Sequence, residues 1–187
     1  MGTRTLLAAV AACCALRATA AARPASTGWF AEAGFGAGGF LPSASDDAKV
    51  GPAIDVRIGR DLFSWLSVGI FAAMTSHEAT TPPPPTGQWF QLYRGGADVR
   101  LGAKAGPIAF FAEGGAGAAI ISSNILEKVG ITDPGERASI EFQAGVGLEY
   151  QTENRHYAFG VAGDLFLIPQ FDALRGVDVH AYIRYTY

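Results

Sequence analysis

Apolar and polar residues alternate singly along most of this chain, and the alternation recurs in eight blocks. Successive side chains leave a β-strand on opposite sides, so a period of two marks a strand whose faces meet different surroundings. The first block, about Thr27 to Phe40, puts Trp29, Ala31, Ala33, Phe35 and Ala37 on one face and Glu32, Gly34, Gly36 and Gly38 on the other. The second, near Ala53 to Arg60, alternates Ile54, Val56 and Ile58 with Asp55, Arg57 and Gly59, and a short break is expected at Asp61 to Ser64. The third sets Leu66, Val68, Ile70, Ala72 and Met74 against Ser67, Gly69, Phe71 and Ala73. In the fourth, about Phe90 to Leu101, Tyr93, Gly95, Ala97, Val99 and Leu101 oppose Arg94, Gly96, Asp98 and Arg100.

A turn at Lys104-Ala105-Gly106-Pro107 leads to the fifth block, Ile108 to Ile120, where Phe110, Ala112, Ala116 and Ala118 oppose Phe111, Glu113, Gly115 and Gly117. The adjacent Phe110 and Phe111 leave either register, or a bulge, open there. The sixth, Ser139 to Tyr150, is the most regular. Ile140, Phe142, Ala144, Val146, Leu148 and Tyr150 share one face, and Glu141, Gln143, Gly145, Gly147 and Glu149 share the other. A polar turn at Gln151 to Arg155 precedes the seventh, in which Tyr157, Phe159, Val161 and Leu165 oppose Ala158, Gly160, Ala162 and Asp164. The eighth closes the chain with Val177, Val179, Ala181, Ile183, Tyr185 and Tyr187 opposite Asp178, His180, Tyr182, Arg184 and Thr186.

Blocks of about ten residues match the length a tilted strand needs to cross hydrocarbon. Their connections alternate in length: short and polar after blocks two, four and six, longer at roughly 41–52, 75–89, 121–138 and 168–176. Short turns on one side and long loops on the other describe a transmembrane barrel. Three further features place the apolar face outward, in lipid. The polar faces are crowded with glycine, which suits a narrow packed lumen. Lysine, favoured on soluble strands and edges, is nearly missing from the blocks. Aromatic residues stand at block ends (Trp29, Trp65, Trp89, Tyr150, Tyr157 and Tyr187), as at bilayer interfaces. The expected fold is an all-β, eight-stranded, antiparallel, up-and-down transmembrane barrel.

An eight-stranded barrel is just wide enough for side chains to fill it, and charges inside it must be paired. The expected lumen network joins Arg57, Arg94, Arg100 and Arg184 to Glu32, Asp55, Asp98, Glu113, Glu141, Glu149, Asp164 and Asp178. Phe71, Phe111, Phe166 and Tyr182 would occupy the space that glycine leaves.

Composition adds the compartment. The 187 residues are 49% hydrophobic and 17% charged, with 24 glycines and a net charge of −3, which excludes a disordered tail and offers no basic footprint for nucleic acid. Residues 1–22 differ from the rest: Arg4 precedes an uncharged apolar stretch, Leu6 to Leu16, and small residues at Ala18-Thr19-Ala20 and Ala20-Ala21-Ala22 fit a signal peptidase. A cleaved signal peptide, 1–22, and a barrel domain, 23–187, are therefore expected. Val10-Ala11-Ala12-Cys13 also fits a lipoprotein signal that would lipidate Cys13. Arg4 and Arg17 are two of the 14 basic residues, so cleavage after Ala22 leaves 12 against 17 acidic ones, and removes both cysteines.

These blocks, the loop pattern and the terminal Tyr185-Thr186-Tyr187 resemble the OmpA/OmpX-type outer-membrane barrel family over nearly the whole mature chain. The resemblance implies export, residence in the outer membrane among lipid and lipopolysaccharide, and insertion by the barrel-assembly machinery. Ile183, Tyr185 and Tyr187 look like the C-terminal signal which that machinery reads. Neither a peptidoglycan-binding domain after the barrel nor an oligomer is expected. Role stays open within such a scaffold, between a structural or surface-interaction protein and a narrow channel.

Catalysis and cofactors are not expected. Some related barrels edit lipid A with a His, a Ser and an acid, and Ser76-His77-Glu78 has those residue types. Neighbours on a strand face opposite ways, however, so Ser76 and Glu78 cannot be oriented by His77. His156 and His180 read as polar fillers, and no metal-ligand spacing occurs. Gly34-Phe35-Gly36-Ala37-Gly38-Gly39 lies within a strand, with no helix after it to bind phosphate. Pro82 to Pro85 would form a stiff polyproline rod of about 12 Å in the second loop, either a bland protrusion or a docking site.

Overall fold

The computed structural model describes residues 28–42, 48–80, 88–122, 138–153, 156–171 and 173–187. The leader at 1–22 with Cys13, and Pro82 to Pro85, lie outside the described residues, as does most of the loop expected at 121–138.

Eight strands follow in chain order: β1 (Trp29–Phe40), β2 (Gly51–Phe63), β3 (Leu66–Glu78), β4 (Trp89–Ala105), β5 (Ile108–Ile121), β6 (Ala138–Gln151), β7 (Tyr157–Ile168) and β8 (Leu174–Thr186). Each pairs antiparallel with the next, and β8 returns to β1 over the register Phe30↔Thr186 to Phe40↔Gly176, closing the barrel. Closure leaves no open sheet edge, so backbone donors and acceptors are consumed between strands, as a hydrocarbon surrounding requires.

The faces sort as the alternation demands. On β6, Ile140, Phe142, Val146 and Leu148 are 41–66% exposed, whereas Glu141 is fully buried and Glu149 is 7% exposed. The apolar face is the outside wall and the charged face is the interior. Water would have to wet that wall at a cost of about 1.5–3 kcal/mol for each large apolar side chain, a cost that lipid removes. From Ile140 to Tyr150 the apolar band on β6 is about 25 Å tall, for a strand rising about 3.3 Å per residue and tilted by about 40°. Five of the six expected girdle residues, Trp29, Trp65, Tyr150, Tyr157 and Tyr187, stand exposed at the short-turn end, and Trp89 alone marks the other.

Several boundaries differ from the sequence reading. β2 does not break at Asp61. It runs on to Phe63 with a register shift between Asp61 and Phe63, because Asp61 is drawn inward by lumen partners. β5 is regular, without a bulge: Phe111 points into the lumen and Phe110 into the apolar wall. The connection expected to be long at 168–176 is short. β7 ends at Ile168 and β8 begins at Leu174, with backbone bonds from Phe171 N to Ile168 O and from Ala173 N to Pro169 O folding the chain back. Ala173 takes a φ of 53° to make that return. On the opposite end Gly106, at φ 66°, makes the tight β4–β5 turn.

Candidate functional site: the filled lumen

Strand parity sends one residue in two inward, and the antiparallel register sets opposite charges beside each other before any side chain bends. Glu32 on β1 faces Arg57 on β2 and Arg184 on β8, and Arg100 on β4 faces Glu113 on β5. The structure places all twelve residues of the expected network in the interior.

Two carboxylates act as hubs at the short-turn half. Glu32 receives Arg100 through both terminal nitrogens at 2.8 and 3.1 Å, Arg184 at 3.0 Å, and Arg57 at 3.4 Å. Glu113 receives Arg57 through two nitrogens at 2.9 and 3.0 Å and the Arg100 Nε at 2.9 Å. The planar fork of arginine matches a carboxylate's two oxygens, so each of these contacts fixes orientation as well as charge. Asp98 lies 2.6 Å from Arg57 Nε, and Glu149 accepts from the Tyr182 hydroxyl at 3.1 Å while standing 3.9 Å from Arg100 and Arg184. Arg184 also reaches Asp61, which accepts a further bond from Ser67.

Higher in the lumen, Arg94 binds Glu141 at 3.1 Å and also pairs with Asp178. His180 sits between Asp55 and Asp164, its nitrogens 3.6 and 3.8 Å from their oxygens.

Aromatic rings support these guanidiniums. Arg100 lies 4.0 Å over Phe111, Arg94 4.1 Å over Phe166 and Arg184 3.8 Å over Phe30. Each ring in turn rests on a neighbouring strand where only glycine fits: Phe111 on Gly147, Phe166 on Gly176 and Phe30 on Gly59, where an added Cβ would overlap the ring. Tyr182 covers Gly160 in the same way. The repeating motif is glycine, ring, arginine, carboxylate, stacked from the wall toward the axis. It converts the glycine-rich polar faces into a packed interior with cation–π contacts in a desolvated setting.

The long-loop end is different in kind. Phe40, Ala48, Leu92, Ala119, Phe166 and Ile168 form an apolar cluster inside the barrel, with Phe90, Ile121, Phe171 and Leu174 packed against it. His77 is fully buried beneath Phe40, ring centroids 4.5 Å apart. Its Nδ1–H donates to the Lys49 carbonyl at 3.0 Å, because a carbonyl only accepts, and Nε2 lies 2.9 Å from Thr75 Oγ1. Glu78 instead pairs with Lys49 on the surface at 2.9 Å. The Ser76-His77-Glu78 run thus makes no catalytic constellation.

Among the described residues, small cavities interrupt the packing. One of about 40 Å³ opens at the short-turn mouth beside Asp61, Arg100, Glu149 and Arg184. Another of about 20 Å³ lies mid-lumen beside Asp55, Arg94, Gln143, Asp164 and His180. Both suit a water or two, not a solute. A larger recess, about 490 Å³, is on the lipid-facing wall between Phe110, Val146, Val161 and Val179. Among the described residues no group of His, Cys, Asp and Glu is arranged to hold a metal ion.

The network residues that the sequence reading missed, Asp61 and Phe30, carry the inward parity of Arg57 and Glu32. Parity alone could have found them. The apolar cluster could also have been found so, since Phe40, Leu92 and Ile168 share parity with Glu32, Arg94 and Asp164.

Known proteins share this architecture. Neisserial surface protein A (NspA) superposes with a TM-score of 0.63 at 14% identity, over 86% of this chain and 98% of its own. Outer membrane protein OprG from Pseudomonas aeruginosa gives 0.58 at 13% identity, over 88% and 98%. Ail, the attachment invasion locus protein of Yersinia pestis, in complex with the heparin analogue sucrose octasulfate, gives 0.57 at 13% identity, over 86% and 99%. No protein-family model and no curated protein sequence matches the chain. At such identities the likeness is one of fold alone: a closed antiparallel β-barrel.

Proposed function

We propose that this barrel is a non-conducting, non-catalytic surface protein of the outer membrane, a rigid mount that holds long loops on the exterior. One observation carries the reading: the lumen is occupied along its length, by ion-paired arginines at the short-turn half and by the Phe40–Leu92–Ile168 cluster at the long-loop end. The lipid-facing wall would sit among phospholipid and lipopolysaccharide as a monomer. The leader at 1–22 would direct export, and Ile183, Tyr185 and Tyr187 would be read by the assembly machinery. Ile183 and Tyr187 lie exposed on the outer face of the last strand, where such a machinery could reach them.

Loop chemistry narrows the partner. Segments 41–50, 79–88, 122–137 and 169–173 carry six carboxylates (Asp46, Asp47, Glu127, Asp133, Glu136, Asp172) against three cations (Lys49, Lys128, Arg137). A sulfated polysaccharide of the kind mimicked in the Ail complex needs a basic surface, so a neutral or basic partner suits these loops better.

The narrow-channel reading rests on the polar character of the lumen. Planar-bilayer recording separates the two. The mount predicts a flat trace at all voltages, and reproducible single-channel steps would overturn it. Fractionation with outer membranes and heat-modifiable gel mobility test location, and a cysteine introduced at Lys128 should react with an impermeant reagent on intact cells.

A further inference from the structure

Charge is almost confined to the inside of this barrel. Among the described strand residues, outward positions carry it only at Arg60 on β2, Glu78 on β3 and Arg175 on β8. Glu78 is paired with Lys49, and Arg175 stands at the long-loop end, where the loops hold an excess of carboxylates. Arg60 has no such counter-charge. It lies exposed toward the short-turn end of β2, one outward step beyond Ile58, and its ladder partners are Trp29 on β1 and Val68 on β3. Its outward neighbours along β2, Ile58 and Leu62, are apolar as well.

The carboxylates described at that end are committed or remote. Asp61, next in sequence, turns inward to Arg184 and Ser67. Glu149 lies in the lumen and accepts from Tyr182. Glu153, in the β6–β7 turn, is on the opposite side of the barrel. What Arg60 does meet is a ring, its guanidinium carbon 5.8 Å from the centre of Trp29. Trp29 is exposed, and so are Phe63 and Trp65, which stack 5.6 Å apart at the same end of the barrel.

An arginine on a lipid-facing wall is costly at mid-bilayer and nearly free of cost near the interface, where its stem lies along hydrocarbon and its head reaches the headgroups. Exposed tryptophans mark that level. The anions abundant there are lipid phosphates, and the planar fork of a guanidinium matches two phosphate oxygens.

We propose that Arg60, with Trp29 beside it, is a binding site for the phosphate of an anionic phospholipid in the leaflet on the short-turn side. The site rests on the reading of the wall as lipid-facing. A phosphatidylglycerol headgroup bears one uncompensated negative charge, the complement of this lone cation. The phosphate of phosphatidylcholine is already neutralised by its own ammonium, so it binds less well.

Native mass spectrometry of the folded barrel, released from micelles doped equally with phosphatidylglycerol and phosphatidylcholine, tests the site. The parent should retain one phosphatidylglycerol in preference to phosphatidylcholine. In Arg60→Gln that adduct should fall several-fold, and Arg60→Lys, which keeps the charge but loses the fork, should lie between. Lys104→Gln removes the same charge at the same end of the barrel, from a position of inward parity, and should retain the lipid as the parent does. Adduct mass separates bound lipid from free phosphate when inorganic phosphate is added instead. The proposal is overturned by equal phosphatidylglycerol adducts on the parent and Arg60→Gln, by equal retention of the two lipids, or by an adduct of inorganic phosphate alone. Heat-modifiable mobility and insertion into vesicles are read on every variant. A parent that inserts yet shows no lipid preference sinks only the Arg60 site, whereas a parent that does not insert sinks the lipid-facing wall itself.

Discussion

Arg100 touches Glu32, Glu113 and the ring of Phe111 at once, and stands 3.9 Å from Glu149. Truncating it takes two donors from the buried Glu32 and one from the buried Glu113. Arg100→Ala should therefore cost about 3–5 kcal/mol, the range for breaking a buried ion pair, and appear as a lowered melting temperature in detergent. An unchanged melting curve would mean that the network is decorative. Arg100→Lys, which keeps charge but loses the fork, should fall between the two. Gly147 tests the stack of ring on glycine. A Cβ there overlaps Phe111, so Gly147→Ala should lose about 1–3 kcal/mol by overpacking despite the gain in strand propensity. Gly114→Ala is the control: its Cβ meets nothing nearer than 3.8 Å, and stability should hold or rise in urea titration. At this scale the sequence was read well where charge and parity agreed. Asp61 was lost because a turn was expected there, although its parity with Arg57 pointed inward.

Strands were easier to read than what joins them. Eight periods of two survive in a single sequence because each wall residue must satisfy lipid and each inward one must satisfy the lumen, so a slip of one residue would invert both. Strand ends carry no such constraint. β4 runs on to Ala105 and β2 to Phe63, beyond the last residues with contrasting faces. The β7–β8 connection looked long because Pro169, Gln170 and Asp172 read as loop, yet Phe171 and Leu174 fold back against the interior cluster and shorten it to five residues. A wall position tests the element directly. Val146→Arg sets a charge near mid-band on β6 and should cost about 2–4 kcal/mol, lowering the folded fraction in lipid vesicles under denaturant. Equal folding of the variant and the parent would show that the wall does not face hydrocarbon.

The whole molecule joins two interiors inside one wall. The short-turn half is an ion-paired core in which every arginine has an aromatic or carboxylate bed, and the long-loop end is closed by hydrocarbon side chains over His77. Inward parity already marks Leu92 and Ile168 in the sequence, but only closure of the barrel shows that they meet in one cluster. Closure also leaves the ladders without an edge, so the described residues, which include no cysteine, are held by strand pairing alone around the barrel. What everything else presumes is that the Ile140–Phe142–Val146 face lies in lipid. Nitroxide labels on single cysteines at those three positions, in bilayers, measure it. Collisions with dissolved oxygen should be frequent and collisions with an aqueous nickel chelate rare. Labels sheltered from both, as in the centre of a soluble barrel, would show that the chain is folded the other way out.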